Sequence, residues 1–150
     1  MDTIWLTGAQ WLAVLRVGLG LWWLESWRHK DRKGWLERGT GIAWAADVAA
    51  KHRWPAVRSG FEAVVAPRPR AMAYVVVYAE LALGVGLVAG FLTPVALAGG
   101  LLLNLLYFTL MIHDWAEQGQ NSMMALVSVV GLFAMCWQTW SVDAAVGWFG

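Results

Sequence analysis

"YAELALGVGLVAGFLTPVALAGGLLLN" runs from Tyr78 to Asn104. Two apolar runs flank a short break, "GFLTP" at residues 90–94. Gly commonly closes a helix, and Pro is tolerated in a first helical turn. A spanning helix needs roughly 20 mostly apolar residues to cross about 30 Å of hydrocarbon. Extended to their limits, the runs reach Ala71–Ala89 and Pro94–His113, so both qualify, and the short break makes them a tight antiparallel hairpin. Leu6–Trp27 and Ser122–Val142 qualify on the same grounds. The expectation is an all-α, integral membrane four-helix bundle, with residues 1–150 forming one transmembrane domain.

Composition agrees. The chain is 59% hydrophobic and only 14% charged, with mean hydropathy +0.53. Soluble domains average about 25% charged residues. Twelve Trp residues are present, a type enriched at membrane–water interfaces. Trp5, Trp11, Trp137, Trp140 and Trp148 fall at one end of the spans, and Trp27, Trp35, Trp44, Trp54 and Trp115 at the other. That predicts two aromatic belts. Ten of the eleven Lys and Arg residues lie between Arg28 and Arg70. By the positive-inside rule this first loop, residues 28–70, is cytoplasmic and both termini are on the outer face. Asp2 and the lack of a basic leader predict that the first helix is not a cleaved signal peptide. "HDWAEQGQN" reads as the loop joining the third and fourth spans.

The cytoplasmic loop has its own pattern. Ile42, Ala45, Val48 and Ala49 recur at helical spacing, then Pro55 interrupts. Val57, Phe61, Val64 and Val65 form a second stripe, with Arg58 and Glu62 off it. Two short amphipathic helices at the interface are predicted.

Three polar residues stand out inside the spans. Arg16, Glu80 and Asn104 each lie near the middle of a different apolar run. A central charge costs about 2.5–3.5 kcal/mol on insertion scales. Such groups persist most simply by meeting, so Arg16 is expected to pair with Glu80, joined by Asn104. Glu25 is nine residues from Arg16, on the opposite helix face, and is expected to pair with Arg28 or His29. Gly20, Gly84 and Gly100 each stand four residues from one of the three, which lets backbones approach. Ala82, Gly86 and Gly90 make a second small-residue seam. The cluster reads either as a device that fixes helix pairing or as a site for a proton or ligand.

Dithiol chemistry is excluded by a single cysteine, Cys136. No metal-ligand spacing is present, and His29, His52 and His113 all lie outside the span interiors, which disfavours haem. No intrinsic cofactor is expected. A diffusible quinone is the candidate ligand, with Tyr74, Tyr78, Tyr107, Asn104, Glu80 and Arg16 as groups for its carbonyls.

"LRVGLGLWWLESWRHK" (residues 15–30), the hairpin quoted above, "GWLERGTG" (34–41) and "GQNSMM" (119–124) together resemble the DoxX/DoxD family. The resemblance covers nearly the whole chain, and Arg16, Gly20, Glu80 and Gly84 match the family pattern. It implies a four-helix protein of a prokaryotic cytoplasmic membrane. The DoxD branch is the membrane subunit of a thiosulfate:quinone oxidoreductase, so a quinone-linked electron-transfer subunit is implied. The alternative is a non-catalytic accessory subunit of a larger membrane complex; a small-solute carrier ranks last. Expected partners are membrane lipids and other protein subunits, with no nucleic acid.

Overall fold

The computed structural model describes residues 5–149, and every regular element among them is helical. In chain order these are α1 (Gly8–His29), a π-helical turn (Gly34–Arg38), α2 (Thr40–Ala50), α3 (Pro55–Val64), α4 (Pro69–Ala89), α5 (Thr93–Leu110), α6 (Trp115–Phe133), a 3-10 turn (Cys136–Gln138) and α7 (Val142–Val146).

Local signals set the boundaries. Thr7 and Gln10 form a capping box at α1, each side chain bonding the other's backbone N–H. Pro69 opens α4, and Gly90, at φ +68°, closes it in the left-handed region. α2 and α3 match the two amphipathic stretches read from the loop. The fourth expected span needs correction. Asp114 accepts hydrogen bonds from the N–H groups of Ala116 (3.0 Å) and Glu117 (3.1 Å), so α6 starts at Trp115, inside the stretch read as a loop. It ends at Phe133, and Met135 and Trp140 at positive φ break the remainder into short turns. Residues 122–142 are therefore not one helix.

The four long helices pack as a ring. α1 packs most extensively against α4, and α5 against α6; thinner α4–α5 and α1–α6 seams close it. Glycine sets the α1–α4 approach. A Cβ on Gly20 would lie 2.8 Å from the backbone nitrogen of Val88, and one on Gly84 would lie 2.7 Å from the Leu24 side chain. Trp23 crosses the centre, its indole nitrogen 3.3 Å from where a Cβ on Gly100 would stand. The core around it contains Leu19, Leu83, Leu87, Leu97 and Met124. Trp137 is also buried there, its indole N–H donating to the Phe149 carbonyl, so it is a core residue rather than a belt anchor. The α4–α5 hairpin splays toward the outside. Ala82, Gly86, Ala96, Gly99 and Leu102 help line an apolar groove of about 520 Å³ there.

Among the described residues, two helices are long and apolar enough to cross a membrane, Pro69–Ala89 and Thr93–Leu110. At the other end, α2 buries Ile42, Ala45 and Ala49 and packs against α4 and α5.

Gly20→Ala is expected to cost about 1–3 kcal/mol, because the new methyl meets the α4 backbone. Gly18→Ala, where nothing lies within 4 Å, should be neutral or mildly stabilising. Unfolding titrations of the two variants in detergent check this; equal effects would mean that the α1–α4 approach does not depend on Gly20.

Candidate functional site

The α1–α4 register decides where the polar residues go. Gly20 lies against Leu87 and Val88, and Leu24 against Gly84. Continuing that antiparallel register places Arg16 level with residues near 92, and Glu80 level with those near 28. Twelve residues of helix separate the two levels, roughly 18 Å at 1.5 Å per residue. The expected Arg16–Glu80 pair is therefore not formed. Each charge is held by a different end of the bundle.

Glu80 is fully buried and belongs to the inner cluster. Its Oε2 accepts from Lys30 Nζ at 2.5 Å, and its Oε1 accepts from the Tyr107 hydroxyl at 3.0 Å. Lys30 stands just past α1 and its long side chain reaches back along the helix. Its ammonium also donates to Ser26 Oγ at 3.2 Å and lies 5.2 Å from the Trp35 ring centroid. The Lys30 side chain keeps only 14% of its exposure. Three elements, α1, α4 and α5, are thus tied through one carboxylate. Both carboxylate oxygens are engaged, which suits a fastening role.

Arg16 belongs to the outer cluster. Its Nη2 donates to the Trp140 carbonyl at 2.6 Å. A Cβ on Gly90 would collide with the guanidinium and with Ser141, so glycine is required there for space as well as for φ. The cation therefore sits beneath the C-terminus of α4, where unpaired carbonyls carry partial negative charge. Asp143, also buried, performs the complementary task. Its carboxylate accepts from Leu92 N (2.8 Å) and Thr93 N (2.7 Å) at the positive end of α5, and its own N–H donates to the Gly90 carbonyl (2.9 Å). One cation and one anion brace opposite poles of the same turn.

Asn104 shares the inner depth but joins neither cluster. It is fully buried, one turn before Tyr107 on α5, and its amide oxygen and nitrogen have no partner among the described residues. The Trp23 indole nitrogen, beside Gly100 on the same face of α5, is likewise unpaired. These are the polar groups at this depth left free to bond something else.

Of the other residues singled out from sequence, Tyr107 reaches the inner cluster, but Tyr74 and Tyr78 do not. They stack on each other with centroids 6.0 Å apart and stand exposed on the outer surface of α4. Gly20, Gly84 and Gly100 are packing glycines. Gly86 lies in the α4–α5 groove, while Gly90 is the α4 cap. Glu25 takes its expected partners: Arg28 binds it bidentately at 2.7 Å for each bond, and His29 Nδ1 lies at 3.1 Å.

Sequence reading missed Lys30, Asp143 and His52. His52 is buried. Its Nδ1 accepts from Trp54 N at 3.1 Å, so its Nε2 is the protonated nitrogen that donates to the Thr109 carbonyl at 2.9 Å. It fastens the α2–α3 junction to the inner end of α5. No group of three or more His, Cys, Asp or Glu converges among the described residues.

No family model matches the chain, and neither a curated protein nor a solved structure matches it.

Lys30→Met should cost about 3–5 kcal/mol, because it strands a buried carboxylate. Adding Glu80→Gln should recover part of that loss. Unfolding titrations of both single variants and the double variant make the test. Strictly additive losses would show that the two side chains do not hold each other.

Proposed function

We propose that the chain is a multi-pass protein of a prokaryotic cytoplasmic membrane, serving a quinone-linked redox complex as a small subunit. The observation that carries the membrane reading is the disposition of α4 and α5. Only 28% and 22% of their most apolar stretches are buried inside the protein. A core helix of a water-soluble protein would be mostly covered. Val75, Val85, Val95, Leu102, Leu105 and Leu106 instead face outward, as lipid contact requires. In this reading all four long helices cross the bilayer, with Arg16 of α1 and Asn121 and Ser128 of α6 turned toward the ring interior. The first loop is cytoplasmic, because it holds ten of the eleven cations.

The quinone part rests on the resemblance to the DoxX/DoxD family and on Asn104. A quinone needs hydrogen-bond donors for its carbonyls and an apolar slot for its tail. The Asn104 amide and the Trp23 indole N–H are unengaged donors that lie together at α5, whereas the others among the described residues, on Arg16 and Thr93, lie at the far end of the bundle. The groove between α4 and α5 is the apolar slot, and its residue Leu103 adjoins Asn104 on α5. Glu80 and Tyr107 are already engaged, and Arg16, whose Nε and Nη1 have no partner among the described residues, is held at the other end of the bundle by the Trp140 carbonyl, so the three would support the bundle rather than contact the quinone.

A second reading, the non-catalytic accessory subunit, is favoured by the engagement of both Glu80 carboxylate oxygens, by Lys30 and Tyr107. The two separate on one experiment. The native protein is purified in mild detergent, its lipid extract is analysed for quinone, and its co-purifying chains are identified. Under the quinone reading, Asn104→Leu lowers the quinone content at least several-fold while the fold survives. Absence of quinone from an intact complex whose other chains hold the redox centres would leave the accessory reading.

Topology has its own test. In a Cys136→Ser background, Gly60→Cys should react with an impermeant maleimide only after the cells are opened, and Ala145→Cys in intact cells. Labelling of Gly60→Cys in intact cells would invert the assignment.

A further inference from the structure

The segment from Lys51 to Arg70 carries five Lys or Arg residues against one carboxylate, Glu62. α3 lies inside it. None of its ten residues is buried by the protein, although Val57, Phe61, Val64 and Val65 form a continuous apolar stripe. Val64 is 61% exposed. Val57, Phe61 and Val65 are half-buried, and an amphipathic helix whose apolar face the protein covers only in part leaves a surface for something outside the chain.

The structure fixes the depth of that face. At one end, His52 bonds the Thr109 carbonyl, which ties the α2–α3 junction to the last turn of α5. At the other end, four residues past α3, Arg68 stands at the N-cap position of α4. α4 and α5 are the two helices apolar and long enough to span a bilayer. Both ends of α3 are therefore pinned where those helices meet the surface. With about 15 Å of length, α3 runs along that surface.

The charges around it are uncommitted. Elsewhere in the loop, three cations have carboxylate partners, Arg28 with Glu25, Lys30 with Glu80 and Arg38 with Asp31 at 3.6 Å, while Arg32 lies over the Trp27 ring and Lys33 makes no ion pair among the described residues. Lys51, Arg53, Arg68 and Arg70 are exposed and make no ion pair among the described residues. Arg53 lies over the ring of Trp54, 5.0 Å from its centroid, and Trp54 is an amphipathic anchor half exposed at the start of α3. Arg58 is held by the His52 carbonyl at 2.6 Å and orients the helix.

We propose that α3 and its flanking cations Lys51, Arg53, Arg68 and Arg70 form a binding surface for the anionic phospholipid headgroups of the cytoplasmic leaflet. The proposal rests on the membrane-embedded reading above. The apolar stripe enters the acyl boundary, and the four cations meet phosphate and other anionic headgroup oxygens. Clusters of four to eight cations beside a membrane helix have this chemistry. A zwitterionic surface lacks the net charge to satisfy them.

The full chain is inserted into nanodiscs containing equal amounts of phosphatidylglycerol and phosphatidylcholine. Lipids that stay bound are counted by headgroup with native mass spectrometry. The wild type is expected to retain phosphatidylglycerol over phosphatidylcholine several-fold, with the preference shrinking as ionic strength rises. In the variant with Lys51→Gln, Arg53→Gln, Arg68→Gln and Arg70→Gln, the ratio should fall close to one while circular dichroism stays unchanged. If that variant misfolds, Arg68→Gln with Arg70→Gln should still reduce the ratio by half or more. Equal retention of both lipids by the wild type, or an unchanged preference in the variants, overturns the proposal and leaves the membrane reading standing. A chain that stays in the aqueous phase and never enters the nanodisc overturns both.

Discussion

The glycine contact between α1 and α4 governs the placement of everything polar in this protein. At Gly20 and Gly84 the two helices approach so closely that a side chain at either position would collide with the neighbouring helix in this register. That register slides Arg16 to the outer end of the bundle and leaves Glu80 beside the last turn of α1. From there the remaining interactions follow from reach. A lysine just beyond α1 is long enough to come back to Glu80, and a tyrosine on α5 is near enough to share it. Close packing without side chains thus decides an electrostatic arrangement that charge alone leaves open.

The two charged clusters solve the same problem by different means. Glu80 is compensated by a full countercharge and a phenol. Arg16 is compensated by a carbonyl and by the end of a helix, and Asp143 by two backbone N–H groups at the start of another. Helix termini carry their partial charges wherever they lie, so a buried ion set against one needs no oppositely charged side chain. Between the clusters the interior is hydrocarbon, glycine, one tryptophan and Ser128, whose hydroxyl donates to the Met124 carbonyl of its own helix. Asn104 is the exception, a polar residue at depth with no partner in the fold among the described residues.

Much of the architecture was legible in the sequence. The apolar runs located α1, α4 and α5 to within about two or three residues, because length, Pro and Gly leave little latitude. The amphipathic stripes located α2 and α3 for the same reason. Glu25 with Arg28 was legible because helical spacing alone brings them together. Arg16 with Glu80 was misread because each was centred in its own run, as if helices of similar length must align end to end. Nothing in a single sequence states how far one helix slides past another. Lys30 was invisible because it lies outside the apolar run it serves, and Asp143 because its partners are backbone. The start of α6 did have a signal. Asp114 three residues before Glu117 is a helix-opening pattern, and it was outweighed by the polarity of the residues after it.

The bond between Arg16 and the Trp140 carbonyl joins residues 124 apart in the chain. Synthesis runs from the amino end, so the guanidinium exists long before the carbonyl that receives it. Until Trp140 is made, the first helix must carry that cation without this partner. The bundle therefore cannot be closed stepwise as each helix emerges. The segment around Trp140 is a latch, and the bundle closes only when it arrives to accept a charge presented 124 residues earlier.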